Sequence, residues 1–132
     1  MNRIPRYRNR SAEDDACRKP APRGQECTLL ARCVARLAEL REWGVPLIWA
    51  HIPDVRIQRG TAGRQQARRK GLPDLIIGAP ALNLVLGCEC KTECGIVSPE
   101  QGAWLAAFGD RGCVVRHEDD LLALLKRHGV VR

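Results

Sequence analysis

The stretch GLPDLIIGAPALNLVLGCECK, residues 71–91, decides how the chain is read. Its first half predicts a short strand from Asp74 to Ile77, entered through Gly71, Leu72 and Pro73 and left through Gly78, Ala79 and Pro80. Gly and Pro at those positions punctuate extended chain rather than continue it. Its second half predicts a strand from Leu82 to Lys91, in which successive side chains face opposite ways. Leu82, Leu84, Leu86, Cys88 and Cys90 then form one apolar face, and Glu89 and Lys91 project together from the other. The turn from Gly78 to Ala81 joins the two strands as a hairpin, which brings Asp74 close to Glu89.

That pairing carries chemistry. By themselves Glu89 and Lys91 read equally well as an ion pair on an exposed face. Two carboxylates converging at a sheet end, however, repel each other unless a divalent cation lies between them. Mg²⁺ or Mn²⁺, hard ions that take oxygen ligands and keep several waters, suit such a site. A cation held there polarises a phosphodiester and acidifies water, while a lysine positions that water or offsets charge in the transition state.

Working outward, Gln25 to Trp43 has apolar residues at helical spacing, Leu30, Cys33, Leu37 and Leu40, and Gly44 ends the helix. Glu26, four residues before Leu30, projects from the middle of that stripe. Either a metal or cation compensates it there, or it lies in a first turn that reaches water and favours acids. Val45 to Ile52 reads as a buried strand closed by Pro53, with His51 near the proposed site. A connector rich in Gly follows, carrying Arg56, Arg59, Arg64, Arg68, Arg69 and Lys70. It suits phosphate contact or a solvated surface loop. Beyond Lys91, Ser98, Pro99 and Gln101 have the pattern of a capping box opening a helix to about Phe108, with Trp104, Leu105 and Phe108 inward. Cys113 to Arg116 is a last strand, whose Arg116 and His117 are expected at the surface, and Glu118, Asp119 and Asp120 open a final Leu-rich helix. The sum is a mixed α/β sheet domain.

At 132 residues the chain fits one folded domain, 24–132, preceded by a basic arm over 1–23 with no apolar period. A net charge of +7 points to a polyanionic partner, nucleic acid before an acidic membrane surface. No apolar run is long enough to span a bilayer. Arg3, Arg6, Arg8 and Arg10 follow Met1 without an apolar stretch, so a cytoplasmic location and reduced cysteines are expected.

Pro73-Asp74, fourteen intervening residues, then Glu89-Cys90-Lys91 resembles the signature of the PD-(D/E)xK nucleases. The segments HIP at 51–53, GLPDLIIGAP at 71–80, ECK at 89–91 and SPEQGAWL at 98–105 are similar to the VRR-NUC branch of that superfamily, across roughly residues 25–128. The resemblance implies a restriction-endonuclease-like αβββαβ core and a metal-dependent DNA endonuclease. It implies Asp74, Glu89 and the backbone carbonyl of Cys90 as metal ligands and Lys91 as the catalytic lysine. Glu26 would support the metal or its waters. Gln101 would orient Lys91 or a phosphate, unless its role ends at the capping box. Asp54 stands where the family often has Asn, and Leu72 where Val often precedes the Pro-Asp pair. Standalone members of this size resemble phage or prophage enzymes acting as homodimers on branched DNA such as Holliday junctions.

Two other readings compete. A non-catalytic DNA-binding module needs the basic surface but not Asp74, Glu89 and Lys91 together. A zinc-stabilised interaction domain would use Cys88, Cys90 and Cys94 with Cys113, Cys17 or a histidine. Cys88 and Cys90 fit better as small core residues on the leucine face.

Overall fold

The computed structural model of the protein describes residues 25–52 and 71–132, with side chains from Thr28 onward. Helix α1 (Gln25–Glu42) leads into strand β1 (Ile48–His51), then β2 (Leu75–Ala79) and β3 (Leu84–Cys90). Helix α2 (Pro99–Phe108), strand β4 (Gly112–Val115) and helix α3 (Glu118–Arg127) complete the order expected from the sequence. The four strands form one sheet in the order β1-β2-β3-β4. The first three are antiparallel neighbours and β4 joins β3 in parallel, so the sheet is mixed and the fold is α/β. Parallel pairing of β3 with β4 requires a crossover, and α2 supplies it.

Strand parity divides the sheet into two faces. Leu84, Leu86, Cys88 and Cys90 of β3 join Leu75, Ile77 and Ala79 of β2 in the core. Cys33, Leu37 and Leu40 of α1 and Leu121, Leu124 and Leu125 of α3 belong to the same cluster. The alternate residues of β3 turn to α2: a Cβ on Gly87 would meet the Phe108 ring at 2.8 Å, so glycine there lets the helix lie close. The apolar stripe of α1 is thus buried as its spacing predicts. An ion pair from Arg36 to Glu118, at 2.8 Å, also ties α1 to the first turn of α3.

Three expectations need correction. The segment read as a buried strand over Val45–Ile52 pairs only over Ile48–His51, and it is mostly exposed because it forms the sheet edge. Ile48 is 57 % exposed, although Leu47, just before the strand, is buried. Leu82 lies outside β3 in a 3₁₀ turn (Pro80–Leu82) and is half exposed. Asn83 closes that turn at φ 54°, a left-handed conformation that Asn tolerates, and this costs β3 its first two expected residues. Trp104 is exposed rather than inward, whereas Leu105 and Phe108 of α2 are half-buried as expected. Among the described residues no helix is long and apolar enough to cross a membrane.

Candidate metal centre

Leu75 pairs with Cys88 in the β2–β3 ladder, so one step back along β2 places Asp74 opposite Glu89. Asp74 is pinned from both neighbouring strands. Its carbonyl accepts from the Ile52 amide at 2.9 Å, and its Oδ2 accepts from the Cys90 amide at 2.8 Å. Pro73 before it is buried. One backbone amide thus holds the carboxylate at the sheet end, and another holds the main chain behind it.

Glu89 is 2 % exposed, and no other polar or charged side chain among the described residues is buried as deeply. Its Oε1 takes two donors, Gln101 Nε2 at 2.5 Å and Lys91 Nζ at 3.2 Å. Its Oε2 is buried and has no hydrogen-bond partner among the described residues. A buried acceptor left unmade costs about 1–3 kcal/mol, more when charged, so this atom is a place where a ligand repays the fold. Burial pushes the Glu89 carboxyl up to about 7, and the charge of Asp74 pushes in the same direction. Lys91 and the Asp74 backbone only partly offset them.

Gln101 does two things at once. The capping box forms as the sequence predicts, with Gln101 N donating to Ser98 Oγ at 3.2 Å and Ser98 N donating to Gln101 Oε1 at 2.9 Å. With its Oε1 spent on the cap, the amide nitrogen of the same side chain is left to donate to Glu89. The start of α2 is thereby locked to the carboxylate. Gly71 makes the approach possible, with φ +86° and a hypothetical Cβ 2.5 Å from the Glu100 carbonyl carbon. Gly71→Ala is expected to lower stability by about 2 kcal/mol or more, from strain and overpacking together. A lower urea midpoint with an unchanged slope would record it, and an unchanged midpoint would refute it.

Asp74, Glu89, Lys91 and Gln101 thus converge. His51 ends β1 opposite Leu75, exposed, one strand away from this group. Glu26 lies in the first turn of α1, but its side chain is outside the described residues. Arg56, Arg59, Arg64, Arg68, Arg69, Lys70 and the arm over 1–23 also lie outside them. Among the described residues no group of three or more His, Cys, Asp or Glu is placed to hold a metal. A complete ligand set would therefore need main-chain oxygen, Glu26 or waters beside the two carboxylates.

The cysteines divide. Cys33, Cys88, Cys90 and Cys113 are free thiols. A hydrogen bond to Cys33, together with burial, holds the Cys90 thiol far above its usual range, and burial does the same to Cys88. Cys88 and Cys90 thus lie among the leucines of the core, as the parity of their strand predicts. Cys94 is disulfide-bonded, which corrects the expectation that every cysteine is reduced.

No protein-family model, curated protein or solved structure matches the chain. Its functional reading stands on the site and on the sequence pattern that led to it.

Proposed function

We propose that the chain is a divalent-metal-dependent DNA endonuclease with a restriction-endonuclease-like αβββαβ core. The observation that carries this reading is the buried Oε2 of Glu89, without a hydrogen-bond partner among the described residues, beside a second carboxylate, Asp74, and a lysine. Burying a carboxylate between another negative charge and apolar strands is unfavourable for the protein alone. It becomes favourable when a dication neutralises the pair.

The residues fit Mg²⁺ or Mn²⁺: Asp74 and Glu89 would hold the ion, with the Cys90 carbonyl and Glu26, directly or through water, as further oxygen ligands. The ion supplies Lewis acidity at the scissile phosphate and a more acidic water. Gln101 holds Glu89 Oε1, so that Oε2 stays available to a ligand. Lys91 Nζ, at the same oxygen, would orient the attacking water and then offset charge on the phosphate. Because the Glu89 carboxyl titrates near neutrality without metal, binding of the ion releases a proton.

A net charge of +7 supports a phosphate-rich substrate. The connector arginines, Arg56, Arg59, Arg64, Arg68 and Arg69, with Lys70 and His51, are the proposed backbone contacts. Resemblance to junction-cutting enzymes extends the proposal to branched DNA and to a cytoplasmic homodimer, in which paired sites would cut two strands.

Labelled linear duplex, single-stranded, flap and four-way-junction DNA, each with Mg²⁺, Mn²⁺ or EDTA, tests the reading. Cleavage that requires metal, fastest on a branched substrate, is expected. DNA bound but uncut with either metal would overturn the enzyme and leave a DNA-binding module. Tightly held zinc in the purified protein would favour the interaction domain instead.

A further inference from the structure

Three carbonyls of the turn that follows Lys91 converge on one side chain. Arg116, the first residue after β4, sends its guanidinium back to that turn. There Nη1 donates to the carbonyls of Thr92 at 2.5 Å, Glu93 at 3.1 Å and Gly95 at 3.0 Å. One terminal nitrogen carries two hydrogens, so the three carbonyls share them. Three converging carbonyl dipoles repel one another, and a fixed positive charge at their focus holds them together. Among the described residues Arg116 has no carboxylate partner, in contrast to Arg36, which pairs with Glu39 and Glu118.

Gly95 connects this clamp to the lysine. A Cβ on Gly95 would lie 3.2 Å from both Cβ and Cδ of Lys91, so the bare backbone of Gly95 forms a wall along the lysine stem. The Lys91 amide in turn donates to the Val115 carbonyl at 2.9 Å, immediately before Arg116. The end of β4 therefore holds Lys91 twice, once through its own backbone and once through the wall. The corner itself is fixed by Asp120, whose Oδ2 accepts from the amides of Arg116 at 2.9 Å and His117 at 3.0 Å.

We infer that Arg116 is a positioning residue for Lys91: by gathering the carbonyls of Thr92, Glu93 and Gly95 it fixes the wall that aims Nζ at Glu89. The effect on catalysis rests on the nuclease reading, whereas the effect on Lys91 itself does not.

Two readouts on the full-length chain separate these. In the first, acetylation of Lys91 relative to exposed Lys126 on α3 is measured by peptide mapping without metal. Arg116→Ala is expected to raise that ratio roughly fivefold, the release expected when a hydrogen-bonded clamp is lost. Arg116→Gln, too short to serve three carbonyls, is expected to raise it as well, and it decides the matter if the alanine variant does not fold. Arg116→Lys, which keeps a charged donor, should restore part of the protection. Arg36→Ala, which breaks ion pairs elsewhere, should leave the ratio unchanged. An unchanged ratio in folded Arg116→Ala or Arg116→Gln, or an equal rise in Arg36→Ala, overturns the inference.

In the second readout, the same Arg116 variants should lower kcat for DNA cleavage by roughly ten- to a hundredfold with KM unchanged. A loss confined to KM would assign Arg116 to substrate binding and overturn the positioning role. If the unmodified protein cuts no DNA with either metal, the nuclease reading fails and the labelling ratio alone judges Arg116.

Discussion

Lys91→Ala is expected to reduce Mg²⁺- or Mn²⁺-dependent DNA cleavage by about a thousandfold, and Asp74→Ala by at least as much. A thousandfold loss corresponds to about 4 kcal/mol of transition-state stabilisation, the size expected when a preorganised charge is removed from a site shielded from water. The two variants differ in what they leave behind. Asp74→Ala removes the carboxylate that the Cys90 amide holds in place, so it should weaken metal binding as well as turnover. Lys91→Ala leaves both of the carboxylates proposed to hold the metal, but removes the charge 3.2 Å from Glu89 Oε1. DNA binding should persist in both, since the connector residues proposed to contact phosphates are kept. Single-turnover cleavage with enzyme in excess separates the chemical step from product release. Activity within threefold of wild type in Lys91→Ala would remove the lysine from the mechanism.

The second large effect is on stability. A glutamate ordinarily titrates near 4.5, and Glu89 in the folded protein titrates at about 7. Between those values the folded state keeps a proton that the unfolded chain has given up. Metal-free protein therefore loses stability as pH rises through this window, and the loss is complete above about pH 7. Below about pH 4.5 both states are protonated and the effect vanishes. Its size is about 3 kcal/mol, large against the total stability of a domain this small. Glu89→Gln cannot ionise, so urea unfolding in EDTA should find it close to wild type at pH 5 and more stable at pH 8. Mn²⁺ or Mg²⁺ should restore the wild type at pH 8 and do little for the variant. Parallel stability curves for the two proteins from pH 5 to pH 8 would refute the account.

Much of the site was legible because strand parity is a strong local rule. Once Leu84, Leu86 and Cys88 are assigned to the core face, Glu89 must face away from them, whatever the rest of the chain does. The capping box was equally local, since Ser98 and Gln101 meet across a single helical turn. Arg116 was expected at the surface because nothing in its neighbours says otherwise. Its partners, Thr92, Glu93 and Gly95, are more than twenty residues away in the chain, and they meet it only because β4 lies parallel to β3. A main-chain acceptor carries no side-chain signal, so no residue pattern could have announced the clamp.

The order of helices and strands, the apolar stripe of α1, and the pairing of Asp74 with Glu89 could all be read along the chain. All three follow from periodicity and short turns, where neighbours in the chain are neighbours in space. Long-range packing set how deeply Glu89 is buried, that its Oε2 has no partner among the described residues, and that Gln101 serves both its cap and the carboxylate. Those depend on α2 returning across the sheet over Gly87 and Gly71, two positions where a side chain would hold the helix away. They also depend on β1 lying at the edge, which left exposed a strand whose apolar composition had suggested burial. Burial and charge environment are properties of what packs from a distance, and that packing sets the chemistry available to the carboxylates.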